Sequence, residues 1–148
     1  MQERQLTLNG CFLYCAEDRT GAGRAVLLLH GAKFNAATWH QLGTLSALQQ
    51  AGHRFHALDM PGFGKSSACD VSPVEILQAF IQQEQLDRPV LVGPSMGGGI
   101  CLNYYFTRPD TVGGLVLVGS VGLDRYQERF REVAVPCLLV WGENDTIS

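Results

Sequence analysis

The stretch PVLVGPSMGGG, Pro89–Gly99, decides how the rest of the chain is read. Pro89 to Gly93 is β-branched and apolar and carries no charge, the composition of a short buried strand. It runs into Gly93-Pro94-Ser95-Met96-Gly97, a G-x-S-x-G pattern, and a largely apolar helical run follows from Met96 to Thr107. A serine at the apex of a strand–turn–helix unit takes a strained backbone conformation that lifts its hydroxyl above the sheet. The flanking glycines, here Gly93 and Gly97, let strand and helix approach closely. The helix start behind the serine offers free N–H groups and a positive dipole end, which suit a developing oxyanion. Ser95 is the candidate nucleophile. The plainer reading is a Gly/Ser turn in a chain with 17 glycines; the apolar strand before it and the helix after it are the context the catalytic pattern requires.

On the N-terminal side, Gln5–Leu8 and Cys11–Ala16 flank Asn9-Gly10, a dipeptide that favours a tight hairpin at a sheet edge. Ala25–Leu29 (AVLLL) is a continuous apolar strand ending in His30-Gly31-Ala32. The spacing of Trp39, Leu42, Leu45 and Leu48 predicts one helix from about Ala37 to Ala51, with Gly52 just past its end. Arg54–Leu58 is the next strand, and Asp59–Ser66 (DMPGFGKS) is a loop rich in turn residues. Ser72-Pro73-Val74-Glu75 supplies a cap, a proline at the first helical position and a capping-box glutamate, opening a helix to about Leu86. Beyond the serine unit come two more apolar strands, Gly114–Gly119 and Pro136–Trp141, with a short charged piece, Asp124–Glu132, between them.

Apolar strands alternating with helices mean an α/β fold: a doubly wound, mostly parallel sheet with helices on both faces. Ligands bind such sheets at the carboxyl ends of the strands. His30-Gly31-Ala32, the Asp59 loop, Ser95, Gly119-Ser120 and Gly142–Asp145 all fall there, so the polar chemistry gathers on one rim.

With 148 residues, 46% hydrophobic and 17% charged, the chain is expected to form a single domain over residues 1–148. A net charge of −3 offers no general attraction for nucleic acid or an anionic membrane. No apolar run is long enough to cross a bilayer, and MQERQLTLNG lacks the apolar core of a signal peptide. The five cysteines (Cys11, Cys15, Cys69, Cys101, Cys137) are odd in number and show no C-x-x-C spacing, so reduced thiols in a cytoplasmic protein are expected. No metal is expected: His53, His56 and Asp59 match no zinc spacing, and strand positions three apart face opposite sides. Gly64-Lys65-Ser66 lacks the earlier glycine and the helix starting at lysine that a phosphate-cradling loop needs, and no G-x-G-x-x-G follows a strand. Lys33 is the odd charge near the rim, read as a solvated loop lysine or as a contact for an acidic substrate group.

LLLHGA (Leu27–Ala32), DMPGFGKS (Asp59–Ser66), GPSMGG (Gly93–Gly98) and VWGEND (Val140–Asp145) together resemble the α/β-hydrolase fold family, and the resemblance covers nearly everything from Ala25 onward. The run HGAKFNAATW (His30–Trp39) and the proline before the serine are similar to small cap-less hydrolases such as CCG1-interacting factor B. The resemblance implies Ser95 as nucleophile, the backbone N–H groups of Ala32 and Met96 as the oxyanion hole, and His30, Gly31, Gly93 and Gly97 as supporting motif residues. It implies Asp145 as the acid that orients an imidazole, with Glu143 the nearest substitute and an N-cap the plainer role for Asp145. It implies no cofactor.

One departure stands out. In this family the order is serine, acid, histidine, yet the four histidines (His30, His40, His53, His56) all precede Ser95. His30 is expected to shape the oxyanion turn, and the other three to serve surface or packing roles. Removing the histidine of a serine protease on another fold costs on the order of a millionfold in turnover. The domain is therefore expected to be incomplete at its C-terminus, with no triad histidine in this chain. The favoured function is a serine hydrolase of ester, thioester or amide bonds acting on a small-molecule acyl substrate at an open site without a lid domain. The alternatives are a non-catalytic α/β-hydrolase-like binding scaffold, or transfer of an acyl group from acyl-lysine to coenzyme A. Pro136–Trp141 is expected to be an exposed apolar sheet edge, open to self-association.

Overall fold

Alternation along the strands sorts their side chains into two apolar layers, and the rest of the architecture follows from covering both. A computed structural model describes residues 1–147. Strands β1 (Gln2–Leu8) and β2 (Cys11–Asp18) form the expected hairpin. Asn9 and Gly10 take φ of 48° and 83°, the two left-handed positions of the tight turn that Asn-Gly favours. The remaining strands are β3 (Val26–Leu28), β4 (Phe55–Leu58), β5 (Val90–Pro94), β6 (Gly114–Val118) and β7 (Cys137–Val140). They join one seven-stranded sheet in the order β1-β2-β4-β3-β5-β6-β7. The β1–β2 and β2–β4 pairs are antiparallel and every pair from β4 to β7 is parallel.

Leu27 and Leu29 face one side with Leu91, Leu115 and Leu117, where helices α3 (Pro73–Gln83) and α4 (Met96–Thr107) cover them with Ile76, Leu77, Phe80, Cys101, Leu102 and Tyr105. Leu28, Phe55 and Ala57 face the other side, under Ala36, Leu45, Trp39 and Leu48. The single helix expected there is instead two, α1 (Ala37–Gln41) and α2 (Thr44–Gln50). Gly43 takes φ 76°, which breaks the run, and Leu42, one of the residues whose spacing predicted a single helix, is 71% exposed. Gly52 (φ 74°) ends α2 as expected, with His53 N–H donating to the Leu48 carbonyl. At the start of α3 both arms of the capping box are made, Ser72 and Glu75 each bonding the other's backbone N–H. A four-residue helix α5 (Leu123–Tyr126) and a 3-10 turn (Gln127–Glu132) fill the charged piece before β7. No separate lid domain rises between β6 and β7.

β7 pairs only with β6 among the described residues, and Leu138, Leu139 and Val140 are exposed. Register places Leu138 and Val140 beside Val116 and Val118, on the side where α1 and α2 pack with residues of β2, β4, β3 and β5 but not of β6 or β7. Among the described residues no helix is long and apolar enough to cross a membrane.

The expectation of five reduced thiols is corrected: Cys11 and Cys69 form a disulfide across a sequence separation of 58 residues. Sequence spacing could not show it, because only folding brings the start of β2 against the loop before α3. The pairing removes one support of the cytoplasmic reading, since disulfides persist mainly in oxidising compartments. Cys15 and Cys101 are buried free thiols, and burial pushes both up, so they stay protonated.

Inside the sheet face toward α3 sits a charge network that sequence patterning does not reveal. Buried Glu17 pairs with His56 (2.9 Å) and with Arg4 (3.1 Å), and Arg4 and Arg19 both reach Glu84. Burial holds His56 below the ordinary imidazole range, so the neutral ring donates from Nδ1 to the Glu17 carboxylate. Cys15, Glu17 and His56 bring metal-ligand-type atoms within 4.8 Å of one another. The protonated thiol and the Arg4 guanidinium already held by Glu17 make this trio part of the ion network.

The cross-link yields the first expected outcome. The chain-entropy relation gives about 4 kcal/mol for a closed loop of this length. Urea unfolding of the oxidised protein and of Cys69→Ser should differ by that order, and added reductant should leave the variant's midpoint unmoved.

Candidate active site

Ser95 occupies the sharp bend its motif implies, with φ 46° and ψ −115°, a conformation that non-glycine residues rarely take. Three main-chain bonds hold it. Its N–H donates to the Val118 carbonyl (3.0 Å), and its own carbonyl accepts from Gly99 (3.1 Å) and Val121 (3.3 Å). The bend is thereby tied to the end of β6 and the first turn of α4 together. A Cβ on Gly93 would run into the main chain of Gly97, and a Cβ on Gly97 would sit 2.8 Å from the His30 carbonyl oxygen. Close approach of α4 to β5 and β3 therefore needs both glycines. Gly98 is a third, pressed against the Ser120 side chain, which the motif reading did not single out.

Ser95, Met96 and Ala32 line one cavity of about 590 Å³, so the structure brings together the three groups that the sequence joined. Among the described residues neither the Ala32 nor the Met96 N–H donates to a protein acceptor, and the Ser95 hydroxyl has no hydrogen-bond partner. Asp145 is not on the cavity wall; it lies exposed in the turn after β7, where Oδ1 accepts from the Ile147 N–H (2.9 Å). Glu143 is exposed in the same turn.

His30 is built into the scaffold at 1% exposure. Its Nε2 accepts from the Met60 N–H (3.0 Å), which places the ring proton on Nδ1, 2.8 Å from the Gly31 carbonyl. Both ring nitrogens are engaged by backbone, and the ring packs against Phe63 at 5.1 Å. His56 is held by Glu17, while His40 and His53 are exposed.

The loop Asp59–Ser66 supplies what sequence reasoning missed. Buried Asp59 accepts from the Ala36 N–H (2.6 Å) and the Lys65 N–H (2.8 Å), clasping the Ala32–Ala36 turn to its own loop. Ser66 donates to the Asp59 carbonyl (2.7 Å) and accepts from the Tyr14 N–H (2.9 Å). Lys65 pairs with Glu3 (2.9 Å) and lies 4.3 Å over the Tyr14 ring. The Gly-Lys-Ser triplet is thus consumed by internal bonds. Aspartate and serine beside glycines were the available signal, since these residues bond nearby backbone.

The cavity's outer wall is α5. Tyr126 stacks on Phe106 at 4.6 Å and donates from its hydroxyl to Asn103 (3.1 Å), fixing α5 against α4. A second depression of about 350 Å³, lined by Phe34, Trp39, Leu42 and Val118, adjoins His30 on the other face.

Residues 24–130 match the family model of the alpha/beta hydrolase fold. The chain belongs to the α/β-hydrolase fold family. Among its α/β-hydrolase relatives, ABHD14A of Mus musculus is 38% identical over 126 residues, covering 81% of this chain and 51% of that protein. The human protein named "Putative protein-lysine deacylase ABHD14B" is 33% identical over 97% of this chain and 74% of its own length. Among solved structures, a "predicted CIB-like hydrolase" from Thermoplasma acidophilum superposes with a TM-score of 0.91 at 25% identity, over 99% of this chain and 75% of that one. The chain thus spans about half the length of ABHD14A and about three quarters of ABHD14B.

The glycine geometry sets an expected outcome for this α/β-hydrolase bend. Gly93→Ala should cost about 3 kcal/mol in urea unfolding through overpacking against Gly97. Gly114→Ala, whose Cβ would meet the Pro136 carbonyl oxygen at an ordinary 3.4 Å, should cost far less.

Proposed function

We propose that this chain carries the acylation half of a hydrolase site, acting on ester, thioester or amide bonds of small acyl substrates. The observation that carries the reading is the strained Ser95 bend on a cavity also lined by Ala32 and Met96, whose N–H groups have no protein acceptor among the described residues. The Ser95 hydroxyl oxygen attacks the acyl carbonyl carbon, and the carbonyl π electrons move to oxygen as the tetrahedral centre forms. The Ala32 and Met96 N–H groups stabilise that oxyanion. Its collapse breaks the bond to the leaving group, which carries away the proton lost by Ser95, and leaves the acyl group on Ser95; water then adds to the acyl carbon, one of its protons returns to Ser95, and the acid is released. An acyl-lysine amide is one substrate of this class, in keeping with the name of ABHD14B.

The proton leaving Ser95 needs a base. Asp145 is the acid proposed to orient an imidazole, but no histidine of this chain follows Ser95, and His30 has both ring nitrogens engaged. A serine site without its base retains only the contribution of oxyanion hole and binding, roughly 10³–10⁴ over water in a serine protease. Acylation by this chain alone is accordingly slow. A second reading, a binding scaffold, draws on the same unpartnered hydroxyl.

A fluorophosphonate probe separates the two readings. The expected result is slow, stoichiometric modification mapped to Ser95 by peptide mass spectrometry and absent from Ser95→Ala. Equal modification of both proteins, or none after prolonged exposure, favours the scaffold.

A further inference from the structure

The cavity beside Ser95 extends well past the bend, between the N-terminal turn of α3, the exposed flank of α4 and the inner side of α5. Val74, Ile100 and Val121 make much of its wall apolar. Arg125 is the one charged residue on that wall. It is exposed, and among the described residues its guanidinium has no carboxylate partner, nor the carbonyl or amide oxygen partner that Arg24, Arg88 and Arg108 have. The adjacent acid, Asp124, lines a different depression with Gln127, Phe130 and Leu139. Arg125 also stands on a fixed root. The next residue, Tyr126, is stacked on Phe106 and bonded to Asn103, so the backbone that carries the guanidinium is held against α4.

A free arginine on an otherwise neutral wall leaves one positive charge uncompensated where a ligand would lie. Its planar fork of donors matches a carboxylate or a phosphate. We infer that this cavity takes a short apolar arm ending in an anionic group, with Arg125 as the counter-charge and Val74, Ile100 and Val121 along the arm. As a statement about substrate it rests on the Ser95 reading; as a statement about binding it stands apart from it. A carboxylate places the charge at the end of an acyl group, and a phosphate places it on the leaving group.

Pentanoate, pentyl phosphate and pentanol share one apolar arm and differ at its end. Each is titrated into isotope-labelled protein, following the amide signals of Gly99, Val121 and Gly122 by NMR. At least one anion should bind about tenfold more tightly than pentanol, a preference weakened by added salt. Arg125→Gln should abolish the preference while leaving signals outside the cavity in place, and Arg125→Lys should keep part of it. The tighter anion names the source of the charge. These titrations read binding without any acyl transfer, so failure of the probe to label Ser95 leaves their result independent. Equal affinity for pentanol and both anions, persistence of the preference in Arg125→Gln, or no binding by any of the three overturns the inference.

Discussion

The bend at Ser95 is the constraint on which the other parts converge. A non-glycine residue at φ 46° and ψ −115° costs on the order of 1–3 kcal/mol. It persists because hydrogen bonds from two other elements hold it: the end of β6 through Val118, and the first turn of α4 with the segment after β6 through Gly99 and Val121. Those bonds form only when α4 lies close to β5 and β3, and that closeness requires Gly93 and Gly97. Strand, bend and helix are therefore one mechanical unit, and a disturbance at either glycine reaches the serine hydroxyl.

A second unit places the Ala32 turn relative to that bend. His30 and Asp59, both buried, bond backbone N–H groups across the gap between the β3 and β4 exits. Neither side chain is needed on the cavity wall; their work is to fix a loop that would otherwise be held only by its ends. Buried polar groups with full sets of partners are well suited to this, since losing one partner leaves the other desolvated and unpaired. The charge network of Glu17, Arg4, His56 and Glu84 lies beside α3, away from the cavity.

Much of the fold was legible because strands buried on both faces and capped helices leave strong local marks. AVLLL and GLVLVG could hardly be anything but strands of a covered sheet, PCLLVW reads as a strand although Cys137–Val140 are exposed at the sheet edge, and Ser72-Pro73-Val74-Glu75 names a helix start to the residue. The error in the first helical region has an equally local cause. Apolar spacing through Leu42 suggested continuity, but Gly43 adopted the left-handed conformation open to it and Leu42 turned to solvent. The cysteines misled because spacing carries no information about a partner 58 residues away.

By itself the sequence determined the alternation of strands and helices, the serine bend, and the rim on which its polar residues gather, since each depends on neighbours within a few positions. Only the tertiary structure decided that Cys11 meets Cys69, that both nitrogens of His30 are taken by backbone, and that Asp145 stands off the cavity wall. Only it set Arg125 on the wall of the cavity that Ser95 also lines, with no carboxylate partner among the described residues. Those facts concern pairs of atoms distant along the chain, and such pairs come into being only when the sheet orders its strands and the helices close over them.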